Sequence, residues 1–162
     1  MKFSLIDKID LLEPNREIVA TKSLTMAEEY LQDHFPKFPV MPGVLMIEAM
    51  TQAAAWLVRV SENFAHSMVV LREAKNVKFG QFLQPGQTLV VSAKMVSRTD
   101  SEVVLKTEGT IDGQSRIRAQ LTLACYNLEE KTTHQKIFDQ KLVKESKEEL
   151  ALLWPKFIEQ EN

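Results

Sequence analysis

The chain has 162 residues, enough for one domain with a full hydrophobic core. Hydrophobic residues make up 44% and charged ones 26%, and the formal net charge of −2 supplies no general attraction for nucleic acid. A single cysteine, Cys125, excludes an internal disulfide and suits a reducing compartment.

The opening residues, MKFSLIDKID, alternate charged and apolar side chains and lack the apolar run of a signal peptide. No stretch reaches the ~18 uninterrupted apolar residues of a membrane span, so no transmembrane segment and a cytoplasmic location are expected. Residues 16–24, REIVATKSL, carry the β-branched content of a strand, and AEEYLQ (27–32) reads as a short helical turn. Three X-Pro bonds between His34 and Pro42 then exclude regular helix.

From Gly43 to about Ser61 the pattern is helical and apolar almost all round, which marks a buried helix. Its exceptions, Glu48, Gln52 and Arg59, fall within about 40° of one another and form one polar seam. MVVLRE (68–73) reads as a strand, followed by a loop through NVKFGQFLQPGQ. Leu89, Val91, Ala93 and Met95 alternate in a second strand, and Val103, Leu105 and Ile111 share one side of a third. Asp112-Gly113 is a hairpin turn, and beyond it Ile117, Ala119, Leu121, Leu123 and Cys125 share one side of a fourth. This order predicts an α+β fold with an antiparallel sheet wrapped around one central helix. Residues 1–126 read as one domain, 127–136 as a polar linker, and 137–162 as an amphipathic helical extension stopped by Pro155.

The chemistry concentrates in HFPKFPVMPGVLMIEAMTQ, residues 34–52. Two titratable groups, His34 and Glu48, flank a loop stiffened by prolines, and buried charge is costly unless it is paired or used. Eleven helical residues put Arg59 about 16 Å from Glu48, too far for a direct pair in one chain. His66 and His134 sit in polar stretches and are expected at the surface, whereas Cys125, Trp56 and the helix methionines read as core. No metal-ligand cluster, phosphate loop or dinucleotide fingerprint is present in the sequence.

The His-Phe-Pro, Met-Pro-Gly-Val and Glu-Ala-x-x-Gln elements, at this spacing, resemble the signature of the (3R)-hydroxyacyl-acyl-carrier-protein dehydratases of fatty acid synthesis, the FabZ type. The likeness runs from about residue 5 to 126. It implies a hot-dog fold and a homodimer with a greasy acyl tunnel between subunits. In such dimers the histidine comes from one chain and the helix glutamate from its partner. Many members assemble further into trimers of dimers.

The resemblance implies dehydration of (3R)-3-hydroxyacyl thioesters to trans-2-enoyl products, with substrate carried on the phosphopantetheine arm of acyl carrier protein. It implies neither a metal nor a redox cofactor. Imidazole accepts protons near neutral pH, which suits His34 as the base. A carboxyl group in an apolar pocket holds its proton more tightly, which suits Glu48 as the acid; a relay through one shared water is the alternative. Gly43 opens the helix, so its N–H and the helix dipole would face the thioester oxygen. Gln52, one turn past Glu48, would orient the carboxyl. Glu48 stands where isomerising relatives carry aspartate, which favours plain dehydration.

Lys37, Arg72, Lys75 and Lys78 read either as a basic rim for the acidic carrier or as scattered surface charge. An acyl thioesterase on the same fold and a non-catalytic acyl or carrier-binding module are the rival functions. Three departures from the family pattern matter. Asp33 and Lys37 replace glycines that usually flank His-Phe-Pro, which predicts a reshaped loop. The segment before REIVATKSL is short, which predicts that part of the sheet edge or of the tunnel lid is missing. The helix after residue 137 is additional, and would cover an edge, extend an oligomer contact or recruit a protein.

Overall fold

The computed structural model describes residues 3–130 and 135–157; part of the expected linker, His134 and the last five positions lie outside them. Six strands, β1 (Lys8–Glu13), β2 (Glu17–Ser23), β3 (Met68–Phe79), β4 (Thr88–Arg98), β5 (Glu102–Ile111) and β6 (Gln114–Tyr126), form one antiparallel sheet. Their order is β1-β2-β4-β5-β6-β3. The helix α1 (Gly43–Ser61) lies in the sheet's concave face and touches β2 through β6. A second helix, α2 (Lys136–Leu153), follows the sheet. This is the expected α+β hot-dog architecture.

The inward rows are the predicted ones: Leu89, Val91 and Ala93 on β4, Val103 and Leu105 on β5, and Ile117, Leu121 and Leu123 on β6 are all buried. Against them α1 turns Ala49, Ala53 and Ala54, each fully buried, so that small side chains let helix and sheet approach closely. The β5–β6 hairpin turns at Asp112 (φ 51°) and Gly113 (φ 73°), the paired left-handed conformation that Asp-Gly supplies at least strain. By length and composition α1 could cross a membrane; here the sheet enfolds it.

Two expectations are corrected. The sheet edge before REIVATKSL is present, because β1 pairs with β2 over Lys8–Glu13. A bulge between Ile9 and Leu11 puts Ile9 and Leu12 on the inner side three residues apart, which hides the strand from a period-two reading. Likewise β3 continues to Phe79 through two bulges, so the loop expected over residues 76–79 is strand.

The helix α2 packs back onto the domain. Leu150, Leu153 and Trp154 join the main core, and Phe157 meets both Phe64 and Trp154. Phe64 itself sits at φ 58° in the turn after α1, an uncommon conformation for a bulky residue that places its ring under α2. Asp139, buried on α2, accepts the Ser67 hydroxyl and the N–H groups of Leu128 and Glu129, both at 2.9 Å. Burial raises this carboxyl, but the three hydrogen bonds together outweigh it and hold the group below the usual carboxylate range. The stabilisation from a lowered carboxyl is complete above about pH 4 and is lost as pH falls through the lowered value. Asp139→Ala is therefore expected to speed amide exchange in α2 about tenfold or more at neutral pH while leaving β4–β6 protected. Equal acceleration throughout the chain would contradict this local role.

Candidate active site

The loop carrying His34 is fixed at both ends. Upstream, the buried Lys22 ammonium meets Glu28 at 2.5 Å, and the 3-10 turn Glu29–Gln32 buries Leu31. The Tyr30 carbonyl then accepts the His34 N–H at 3.1 Å. Downstream, Val40 and Met41 are fully buried, and the Met41 N–H donates to Leu83 O at 2.9 Å. The prolines between these anchors have no N–H to satisfy.

Half-buried His34 places Nδ1 3.0 Å from the Val40 carbonyl oxygen. A carbonyl only accepts, so Nδ1 carries a proton, and in the neutral ring it is Nε2 that has the lone pair. Asp33 adopts ordinary right-handed angles (φ −102°, ψ −27°), and Lys37 is not among the residues with positive φ. Neither residue is strained by the angles this loop adopts.

Glu48 lies one turn before Gln52 on α1, and Gln52 Nε2 donates to Glu48 Oε1 at 2.9 Å. Gln52 is itself clamped by the N-terminal segment: Nε2 also donates to Phe3 O at 2.9 Å, and Oε1 accepts the Leu5 N–H at 2.8 Å. These backbone partners carry no side-chain signature, which is why sequence reasoning misses them. The N–H groups of Gly43 and Val44 at the start of α1 have no hydrogen-bond partner among the described residues. A Cβ on Gly43 would sit 2.8 Å from Phe79 Cε1, so glycine lets that ring lie across the helix start.

Glu48 and Gln52 line a cavity of about 420 Å³. Its walls continue along α1 to Trp56 and Arg59, along β3 at Val69 and Val70, and onto α2. Trp56, expected as core, is buried and also faces this cavity. His34 does not line it, and no hydrogen bond or ion pair joins His34 to Glu48 within one chain.

The expected basic rim is divided. Arg72 is paired with Glu102, and Lys75 with Glu73 at 2.9 Å, while Lys37 lies exposed on the loop. Lys78 instead faces Arg118 across β3 and β6, and both line a groove with Arg116, two arginines the sequence reading did not single out. His66 departs from its expected surface position: it is half-buried, with Nδ1 3.2 Å from Glu62 Oε2. Glu62, His66 and Cys125 bring potential ligand atoms within 4.8 Å of one another, but Arg98 already meets Glu62 at 3.2 Å. Burial pushes the Cys125 thiol up to about 11, so this group favours a neutral sulfur over a thiolate ligand.

Comparison with solved structures bears on the fold alone. A chain of the dehydratase heterocomplex ApeI:P from Xenorhabdus doucetiae superposes with a TM-score of 0.65 at 15% identity, covering 82% of this chain and 90% of that one. A Streptococcus mutans protein bound to acetyl CoA gives 0.60 at 16%, covering 77% and 91%. The sequence says more, since the FabA-like domain family matches residues 1–120. The 3-hydroxyacyl-acyl-carrier-protein dehydratase FabZ of Pediococcus pentosaceus is 40% identical over 117 residues, 72% of this chain and 78% of that protein. The FabZ of Lactococcus lactis subsp. cremoris is 40% identical over 123 residues, 75% and 84%. The chain belongs to the FabA-like family and, within it, to the FabZ-type dehydratases, a class of hydro-lyases.

Proposed function

We propose that this protein removes water from (3R)-3-hydroxyacyl thioesters carried on acyl carrier protein, giving trans-2-enoyl thioesters in fatty acid biosynthesis. The family match over residues 1–120, with about 40% identity to named FabZ dehydratases, carries this reading. His34 Nε2 takes the proton from the carbon beside the thioester carbonyl. The electron pair forms the new double bond, and the hydroxyl leaves with a proton from Glu48. Atoms balance without an oxidant, a reductant or a metal. The free N–H groups at Gly43 and Val44 suit the charge that develops on the thioester oxygen, and Gln52 holds the Glu48 carboxyl in place.

The site is completed by a second copy. Glu48 lines a cavity that no histidine lines, while His34 sits on a loop surrounded by exposed apolar side chains, among them Phe35, Phe38, Val44 and Phe79. The outer edge of β3 has no strand partner among the described residues, so two β3 edges can pair and bring the loop of one copy to α1 of the other. Such dimers are the unit from which a trimer of dimers would form. Lys78 and Arg116, with Lys37, offer cationic contacts for an acidic carrier and its phosphopantetheine arm, whereas Arg118 is already paired with Glu108 at 2.8 Å. A cytoplasmic location suits carrier-bound substrates.

The deciding assay supplies crotonyl thioester and follows its conjugated absorbance together with free thiol. Loss of absorbance without thiol release is expected. Thiol release would favour a thioesterase, and binding with neither change would favour a carrier-binding module; both would overturn the proposal.

A further inference from the structure

The cavity beside Glu48 does not run on as an apolar tube. Trp56 lies eight residues from Glu48, roughly 12 Å along α1, and Arg59 follows it with its guanidinium 5.3 Å from the indole ring centre. The Arg59 Nε is buried and has no hydrogen-bond partner among the described residues. Facing it across the cavity are Ser146 and Glu149 of α2, and Glu149 interacts electrostatically with Arg59. This wall comes from a helix that lies beyond the region matched by the family.

We infer that α2 and Arg59 close the far end of the acyl site with a charged stop, so that the enzyme selects short acyl chains over long ones. The inference rests on the dehydratase reading above. An apolar tail gains free energy for each methylene that leaves water for an apolar wall. Beyond Trp56 the next methylenes would instead strip water from a guanidinium and a carboxylate, a change that costs energy. Longer tails therefore lose affinity or cannot seat their thioester at Glu48.

The test compares kcat/KM for hydration of crotonyl, trans-2-dodecenoyl and trans-2-hexadecenoyl thioesters. Wild type is expected to favour the two shorter substrates. In the double variant Arg59→Leu with Glu149→Ala, the hexadecenoyl-to-crotonyl ratio is expected to rise, approaching about fourfold for each methylene newly accommodated. Ser146→Trp, at a half-buried position on α2, is expected to lower the dodecenoyl-to-crotonyl ratio by filling the end of the cavity; it supplies the test even where the double variant does not fold. Ratios unchanged by the variants that fold would overturn the inference and leave the dehydratase reading intact. Failure of wild type to hydrate any of the three overturns the dehydratase reading and the inference with it.

Discussion

His34→Asn is expected to lower kcat/KM for crotonyl-thioester hydration by about 10²–10⁴ with the fold intact, the loss typical of removing a general base. Asparagine is the informative replacement because its side-chain N–H can still donate to the Val40 carbonyl, which accepts from His34 Nδ1 at 3.0 Å. Alanine would leave that buried carbonyl unpaired at a cost of about 1–3 kcal/mol and confuse loop stability with chemistry. A His34→Asn protein with wild-type turnover would exclude the imidazole from the proton transfer.

Glu48→Gln is expected to cost a similar factor, about 10²–10⁴, for a different reason. The amide oxygen still accepts the Gln52 Nε2 hydrogen bond that Glu48 Oε1 accepts at 2.9 Å, so the clamp through Phe3 and Leu5 survives. What disappears is an ionisable proton donor. Turnover should collapse while the thermal midpoint shifts little, and substrate affinity should change less than kcat. A large fall in the midpoint, with turnover per folded molecule unchanged, would make Glu48 a structural residue.

Sequence reasoning reached the sheet's centre and the central helix because their burial is regular. On β5 and β6 the core residues recur every second position, and α1 is apolar almost all round, apart from one polar seam. It failed at both sheet edges for a physical reason. Bulges in β1 and β3 break the alternation, and residues 71–76 of β3 are exposed, so no hydrophobic row marks the strand. The site was legible where spacing along one element suffices, as for Glu48 and Gln52 one helical turn apart. It was not legible where remote chain segments meet: the backbone of Phe3 and Leu5 at Gln52, or Ser146 and Glu149 opposite Arg59. The amphipathic pattern of α2 shows which side is apolar, but not that Phe64 and Asp139 lock that helix against the end of α1.

In the proposed dimer each active site takes its histidine from one chain and its glutamate from the other. Mixing His34→Asn and Glu48→Gln proteins under conditions that exchange subunits tests it directly. Random exchange makes half of the dimers hybrid, and each hybrid holds one site with both groups intact, so activity should recover to about one quarter of wild type. Activity that stays at the level of the two separate variants, with hybrids demonstrably formed, would contradict the shared site and require both groups to act within a single chain.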